Sequence, residues 1–338
     1  MNKSILTRRY YIAVVIVAIA VVAAILFNHR QAPRYLTAEG VVWTTDYHIT
    51  YEASRPLDDS IQQELSRIDN SASAFNPKSL VSQLNQNTTN RVDDYFERMY
   101  RTAVAVNKAS GGLYDPTVMP LVNAWGFGYK SGRLPDKAML DSLLQFVGLG
   151  KTSLSGRRLV KQDARIQFDF SSIAKGLACD EVGHALEHGG ASNYMVEIGG
   201  EVACKGHNAK GQKWHISVDM PVEDEHESAL VIALDHGGVA TSGNYRKYKE
   251  VEGKKVSHIV NPLTGYSTES DLLSVTIVAP DCMTADAWAT ACMAMGTKRT
   301  QQLMASSAHL GVMTISADAK GNLVVWSNKR FANLIVNE

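Results

Sequence analysis

Residues 171–198 read SSIAKGLACDEVGHALEHGGASNYMVEI, and this stretch decides the class of fold. Its first part predicts a helix over Ser171–His188, with serine as the start signal and Gly189-Gly190 as the stop. Tyr194–Ile198 follows as a strand. No GxGxxG or GxxxxGK[ST] motif follows a strand, and the elements lack a regular βαβ period. The pattern argues against Rossmann and P-loop nucleotide sites and predicts an α+β domain with mixed or antiparallel sheets and flanking helices.

Elements of both kinds are predicted on either side of this stretch. Apolar residues at helical spacing predict helices over Ser60–Ile68, Asp93–Ala109, Thr284–Met295 and Lys298–Ser306. Runs rich in Val, Ile, Thr and Tyr predict strands over Glu39–Ala53, Trp214–Asp219, Ala229–Leu234 and Leu272–Val278, with shorter runs inside Leu154–Phe170. A closing hairpin, Gly311–Ser316 with Leu323–Trp326, is predicted around Lys320-Gly321-Asn322.

The composition of the chain excludes few classes of function. Its 338 residues include 34 Lys and Arg and 34 Asp and Glu, so no bulk charge favours nucleic acid or a strongly anionic partner. The cysteines, Cys179, Cys204, Cys282 and Cys292, form no CxxC pair. We expect buried thiols rather than metal ligands or disulfides.

The amino-terminal run Tyr10–Phe27 is uncharged and about as long as a membrane-spanning helix. Lys3, Arg8 and Arg9 precede it, so the positive-inside rule leaves the amino terminus in the cytoplasm. The sequence therefore predicts a bacterial inner-membrane protein that crosses once and faces the periplasm. A cleaved signal peptide is the alternative, although no small-x-small site follows the run.

These observations predict four parts of the chain. They are a cytoplasmic stub (1–9), a transmembrane anchor or signal segment (10–27), a linker (28–36) and a catalytic domain (37–338).

A candidate metal site lies on the predicted helix that contains Thr284-Ala-Asp-Ala-Trp-Ala-Thr290. Asp286 and Thr290 are four residues apart, so their oxygen atoms share one helix face. Mg²⁺ prefers such hard donors, with water and substrate phosphates completing the octahedron. The alternative is that Asp286 accepts hydrogen bonds near the helix start and Thr290 is half buried in the core.

Two further blocks suggest anion binding and proton transfer. In Asp169-Phe-Ser-Ser-Ile-Ala-Lys-Gly176 a carboxylate ends a strand and Lys175 stands in the first helical turn, where free N–H groups favour a phosphate. Lys175 as a solvated surface residue is the alternative. His258 precedes the turn Asn261-Pro-Leu-Thr-Gly265 and is a candidate general base or a histidine bonded within its loop. Thr241-Ser-Gly243 suits either a phosphate or a tight turn.

Taken in order, the blocks resemble the ApbE family of FAD:protein FMN transferases, from about Glu39 to near the carboxyl terminus. The resemblance rests on blocks that recur in register. They are Asp115-Pro-Thr117 with Pro120–Val122 and Trp125–Gly128, Asp169–Gly176, Ile198-Gly-Gly200, Thr241–Tyr245, His258–Gly265 and Ala285–Thr290. Family members often have Met at the position of Trp43, Tyr at Phe75 and Asp at Asn261.

The resemblance implies an ApbE-like fold and an enzyme that binds FAD and Mg²⁺, releases AMP and esterifies FMN to a Thr or Ser of a partner redox protein. The implied partners are acceptor subunits of membrane redox complexes, such as NADH:quinone reductase-like proteins. Hydrolysis of FAD to FMN and AMP, or flavin binding without catalysis, are the alternatives.

The resemblance also implies a role for individual residues. The implied magnesium ligands are Asp286, Thr290 and a backbone carbonyl near Ser172. The implied catalytic residues are His258, Asp286 and Lys175. The implied flavin contacts are Trp43, Phe75, Trp125, Gly126, Phe127, Asp169, Lys175, Thr241, Ser242 and Gly243.

Overall fold

One antiparallel sheet of eight strands organises the fold, which we describe from a computed structural model. The structure describes residues 14–19, 21, 33–128, 134–221, 228–243, 248–251, 254–257, 259–268 and 270–336. The strands are β1 (Arg34–Val42), β2 (Thr45–Ala53), β3 (Thr152–Ser155), β4 (Arg158–Lys161), β5 (Tyr194–Ile198), β6 (Glu201–Lys205), β7 (Trp214–Asp219), β8 (Ser228–Leu234), β9 (His236–Gly243), β10 (Tyr248–Val251), β11 (Lys254–Ser257), β12 (Leu272–Ala279), β13 (Gly311–Ala317) and β14 (Leu323–Ser327).

The large sheet has the order β1-β2-β5-β6-β9-β12-β13-β14, and every neighbouring pair is antiparallel. The remaining strands form the hairpins β3-β4, β7-β8 and β10-β11. The helices are α1 (Asp58–Ala72), α2 (Leu80–Asn85), α3 (Asp94–Ser110), α4 (Met119–Ala124), α5 (Lys137–Leu144), α6 (Ala174–His188), α7 (Cys282–Met304) and α8 (Lys329–Ala332). The predicted α+β class with antiparallel sheets is therefore confirmed.

Helix α3 shows how local sequence sets an element. The side chain of Asp93 accepts a hydrogen bond from the N–H of Phe96, and Gly111 ends the helix in the left-handed conformation at φ 67°. Phe96 packs edge-on against Phe168 and Phe170, with ring centroids 5.5 and 5.3 Å away. All three rings are fully buried, and each contributes about 2 kcal/mol through burial.

Helix α7 packs against both the sheet and α6, and two glycines let it approach each of them closely. A Cβ atom on Gly176 of α6 would lie 2.4 Å from the carbonyl oxygen of Cys282. A Cβ atom on Gly238 of β9 would lie 2.2 Å from the Cα atom of Cys282. A side chain at either position would displace the first turn of α7. The sequence at Gly176 and Gly238 thus places that turn.

Several predicted boundaries differ from the structure. The segment Glu39–Ala53, predicted as one strand, contains the end of β1 and the whole of β2. The two strands form a hairpin, because the chain turns at Trp43 and Thr44 with φ of 51° and 63°. Neither residue is a usual marker of such a turn. The helix predicted from Ser171 begins at Ala174. The division predicted between helices Thr284–Met295 and Lys298–Ser306 is confirmed, because the backbone of α7 is non-helical at Gly296, with φ of 75° and ψ of 173°.

The cysteine prediction is confirmed, since Cys179, Cys204, Cys282 and Cys292 are buried free thiols. The predicted anchor, Tyr10–Phe27, lies largely outside the described residues. No helix in the described part of the chain is both long and apolar enough to cross a membrane. The anchor is therefore unsupported by the structure and stays a prediction.

Candidate active site

The first turns of α6 and α7 are in contact. This contact brings together Lys175 and Asp286, two residues that the sequence predicts to belong to the site. The backbone N–H of Gly176 donates a hydrogen bond to Oδ2 of Asp286 at 3.0 Å. Asp286 is buried, with 3% of its surface exposed. Thr290 is half buried and lies one turn further along α7. Asp286 thus accepts one hydrogen bond near a helix start, as the structural alternative requires, and it also lies beside Lys175.

Lys175 and Glu201 form an ion pair next to Asp286. The ammonium of Lys175 donates to Oε2 of Glu201 and lies 3.4 Å from the carbonyl oxygen of Gly199. The side chain of Glu201 is 5% exposed and that of Lys175 is 31% exposed. Lys175 is therefore not a solvated surface residue. The sequence analysis did not identify Glu201, although it follows Ile198-Gly-Gly200 directly.

The charges of the cluster influence one another strongly. Burial lowers the pKa of Lys175, but the carboxylates of Glu201 and Asp286 outweigh burial, and the net pKa is raised. Burial, and then the charge of Asp286, raises the pKa of Glu201. Burial also raises the pKa of Asp286, although Lys175 and the N–H of Gly176 act in the opposite direction. Lys175 stays charged, and the two carboxyl groups favour a cation beside them.

The direction of the Asp169 side chain is set by the buried rings of its two neighbours in sequence. Phe168 and Phe170 stack with centroids 5.6 Å apart inside the core. Because side chains alternate along an extended segment, Asp169 points away from them. Its Oδ1 atom accepts hydrogen bonds from the N–H and the hydroxyl of Ser171, at 2.8 and 2.6 Å.

Tyr114 connects the Asp169 segment to the helix crossing. The hydroxyl of Ser172 donates to the phenol oxygen of Tyr114 at 3.1 Å. Burial raises the pKa of Tyr114, and the charges of Asp286 and Asp169 raise it further. Tyr114 therefore lies within electrostatic range of both carboxylates and stays protonated. Tyr114 directly precedes the Asp115-Pro-Thr117 block, but the sequence alone gave it no role.

The predicted flavin contacts fall into two groups. Trp43 donates from Nε1 to Oδ1 of Asp69 at 2.9 Å, and Asn76 donates to Oδ2 of Asp69 at 2.6 Å. Asp69 thus joins Trp43 to the loop of Phe75, whose side chain is 58% exposed. An exposed aromatic ring beside a half-buried one suits stacking on a planar ligand.

The second group joins two blocks that are far apart in sequence. Trp125 donates from Nε1 to the carbonyl oxygen of Gly265 at 2.8 Å. The N–H of Gly265 in turn donates to the carbonyl oxygen of Asn261 at 2.8 Å, which closes the predicted turn. Gly126 and Phe127 follow Trp125 and are half buried. The Trp125–Gly128 block therefore supports the Asn261–Gly265 turn.

The structure does not bring every predicted residue to the cluster. The hydroxyls of Thr241 and Thr276 are 2.9 Å apart. Thr241 follows Ala240, which packs under α7, so strand alternation turns Thr241 to the opposite face of the sheet. Ser242 and Gly243 end β9 and are half buried. His258 lies outside the described residues.

Comparisons with known proteins agree with this fold and site. The sequence model of the ApbE family matches residues 43–314. An FAD:protein FMN transferase of Haemophilus influenzae is 32% identical and is aligned over 94% of this chain and 96% of its own. The solved structure of the flavin transferase ApbE from Vibrio cholerae superposes with a TM-score of 0.79 at 30% identity, covering 89% of this chain and 99% of that one. The apo flavinyl transferase ApbE of Pseudomonas stutzeri gives a TM-score of 0.81 at 28% identity, covering 89% and 97%.

The fold, the buried charged cluster and these relatives define the class of protein, which is an enzyme of the transferase type. The chain belongs to the ApbE family.

Proposed function

We propose that this chain transfers FMN from FAD to a Thr or Ser hydroxyl of a partner redox protein and releases AMP. The observation that carries the proposal is the buried cluster of Lys175, Glu201 and Asp286 at the crossing of α6 and α7. An ammonium and a cation site beside one another suit a pyrophosphate, whose charge must be neutralised for the phosphoryl group to move. The relatives named FAD:protein FMN transferase support the choice of substrate.

The residues at the crossing fit Mg²⁺. Asp286 uses one oxygen for the N–H of Gly176, and its Oδ1 atom accepts no hydrogen bond from the described part of the chain. Thr290 lies on the same helix face and offers a hydroxyl oxygen. The described residues hold no group of three or more His, Cys, Asp or Glu that could bind a metal. Asp286, Thr290 and the carbonyl near Ser172 would hold the ion, which would polarise the pyrophosphate when bound.

Each protein group then has a defined task in the proposed reaction. Lys175, oriented by Glu201, neutralises charge on the pyrophosphate. Asp169 and the aromatic residues Trp43, Phe75 and Trp125 position the nucleotide. His258 takes the proton of the acceptor hydroxyl. Ser242 and Gly243 at the end of β9 remain proposed FAD contacts, whereas Thr241 faces the other side of the sheet.

The proposal includes a location for the enzyme. The apolar run Tyr10–Phe27 and the basic residues before it support a single-pass anchor in the bacterial inner membrane, with the catalytic domain in the periplasm. An anchored enzyme lies beside acceptor subunits of membrane redox complexes, the partners that we propose.

Mass spectrometry of membrane proteins from cells with and without the gene tests the proposed transfer. We expect an FMN adduct on a Thr or Ser that disappears with the gene. The purified full-length chain, incubated with FAD, Mg²⁺ and the protein so identified, should give flavin fluorescence that survives a denaturing gel. Free FMN and AMP without any covalent flavin would show hydrolysis instead.

Two variants test the assigned roles. We expect Asp286→Ala to abolish turnover, with its largest effect on metal dependence, and unchanged activity would remove Asp286 from the metal site. We expect His258→Ala to slow transfer while FAD affinity is kept. Loss of FAD binding would instead make His258 a binding residue.

A further inference from the structure

Two carboxylates from different helices hold the start of α7. Asp281 is the helix's own N-cap, and its Oδ1 atom accepts from the N–H of Thr284 at 2.7 Å. Asp180 comes from α6, and its two oxygens accept from the N–H groups of Cys282 and Met283, both at 2.9 Å. Only the second carboxylate connects α7 to another element.

The connection between the two helices is reciprocal. Helix α6 gives Asp180 to the first turn of α7, and α7 gives Asp286 to the N–H of Gly176 in the first turn of α6. The two ends of this contact hold different kinds of group. Asp286 lies beside the ammonium of Lys175, whereas Asp180 accepts from two backbone N–H groups and lies near the charges of Asp281 and His184.

The geometry of Asp180 restrains α7 in more than one direction. A carboxylate that accepts from two consecutive N–H groups limits both sliding and rotation of the helix that donates them. Gly176 lets the backbone of Cys282 and Met283 lie directly against α6, so the restraint acts at contact distance. Rotation of α7 about its axis would move Asp286 and Thr290 together, because both lie on one face.

We propose that Asp180 is a positioning residue: it fixes the rotation and register of α7 so that Asp286 and Thr290 present their oxygens to a divalent cation. This inference rests on the proposed function, because it requires the cation.

The surroundings of Asp180 support this assignment. The residue is half buried, and its removal from water raises its pKa to about 7, against the two backbone hydrogen bonds that lower it. A carboxylate removed from water is costly to the fold unless its hydrogen bonds are well made. Here the bonds are well made and join the two helices that carry Lys175 and Asp286.

The test compares Asp180→Asn with Asp281→Asn in the full-length chain, using Mn²⁺ as the probe. Both changes replace a carboxylate that accepts hydrogen bonds from N–H groups at the start of α7. Only Asp180 joins α7 to another helix. We expect Asp180→Asn to weaken Mn²⁺ binding, measured by electron paramagnetic resonance, at least tenfold. We expect Asp281→Asn to leave it within about twofold, because an asparagine also caps a helix.

Hydrogen exchange supplies a readout that needs no metal. If Asp180 positions α7, then Asp180→Asn should speed exchange of the peptide that contains Gly176, because Asp286 no longer holds that N–H. Asp281→Asn should speed exchange only near Thr284. A local cap without a positioning role would leave the Gly176 peptide unchanged.

Asp180→Glu serves as a second variant that keeps the charge but moves the carboxylate by one methylene group. We expect a folded chain with weakened Mn²⁺ binding. Unchanged Mn²⁺ binding in both Asp180 variants would overturn the inference and leave the proposed function standing. So would failure of both to fold while Asp281→Asn folds, which would make Asp180 a fold residue. A wild-type chain that binds no Mn²⁺ would overturn the inference together with the metal part of the proposed function.

Discussion

Two turns of the same local design lie side by side in this molecule, one at Asp115–Thr117 and one at Asp169–Ser171. In the first, Oδ1 of the aspartate accepts from the N–H and hydroxyl of Thr117 at 2.8 and 2.6 Å. In the second, Ser171 gives the same two bonds at the same distances. The turns also touch, because the N–H of Asp169 donates to the carbonyl oxygen of Pro116 at 2.7 Å.

The turns differ in what occupies the remaining acceptors. Oδ2 of Asp115 accepts from the N–H of Leu149, and the hydroxyl of Thr117 accepts from the N–H of Gly148, both at 2.7 Å. Oδ2 of Asp169 accepts no hydrogen bond from the described residues. The protein therefore uses the first turn to join two segments and leaves the second open toward the site. A sequence block shows the turn, but only its neighbours show whether a ligand can use it.

The largest expected effect is a loss of stability when the first turn, at Asp115–Thr117, is disrupted. We expect Asp115→Ala to lower the free energy of unfolding by about 4 kcal/mol, because it leaves the buried donors of Thr117 and Leu149 unpaired. Urea unfolding measures this loss. Flavin transfer per folded molecule should fall less than about threefold at saturating FAD. A stability loss below about 1 kcal/mol would show that water replaces the lost oxygens.

The second expected effect is a loss of activity when the second turn, at Asp169–Ser171, is changed. We expect Asp169→Asn to lower kcat/KM for FAD about 100-fold, or roughly 2.7 kcal/mol of transition-state stabilisation. The amide oxygen still accepts from Ser171, so the melting temperature should hardly change. Asp115→Asn is the matched control, for which we expect lower stability and nearly unchanged kcat/KM. Equal losses of activity in both variants would remove the distinction between the turns.

The hydroxyl groups of the two turns give a smaller contrast. Thr117 is fully buried, and Thr117→Val leaves the N–H of Gly148 without its acceptor, which should cost about 1–2 kcal/mol. Ser171 is exposed, and Ser171→Ala should cost no more than about 0.5 kcal/mol. Chemical denaturation of the two variants side by side measures the difference, and a reversed order would contradict it.

The smallest expected effect is a pH dependence of stability from the closed turn. Burial raises the pKa of Asp115, although its hydrogen bonds to Thr117 and Leu149 act in the opposite direction. A raised pKa in the folded state gives stability that is complete below the unfolded pKa, near 4, and is lost as pH rises through the folded value. The advantage of the wild type over Asp115→Asn should therefore shrink as pH rises above about 4. Thr117→Val, which keeps the carboxyl group but removes the hydroxyl bond that lowers its pKa, should lose stability more steeply with rising pH than the wild type does.

Much of the fold could be predicted from the sequence because its signals are local. Helix α3, predicted over Asp93–Ala109, and the strand at Tyr194–Ile198 lie within one residue of where the pattern indicates. The turn at Trp43 and Thr44 could not be predicted, because neither residue normally marks a position with positive φ. Strand β6 was missed since its short run, Glu201–Lys205, follows a double glycine and starts with a charge.

The site was predictable in part for the same reason. Helical spacing linked Asp286 to Thr290, and the helix start singled out Lys175. Nothing local indicates that Glu201 receives the ammonium of Lys175, because that pairing depends on how β6 packs against α6. Nothing local links Asp180 to Cys282 either, since the bond spans 102 residues.

The reciprocal contact between α6 and α7 also determines when the site can exist. Gly176 and Asp286 are separated by 110 residues, and bringing together residues so far apart in sequence costs loop-closure entropy. A chain synthesised only as far as β12 contains Lys175, Asp169 and the aromatic residues but lacks Asp286. Such an unfinished chain lacks both Asp286 and the helix whose first turn is held by Asp180. The charged cluster can therefore form only after the first half of α7 has been synthesised.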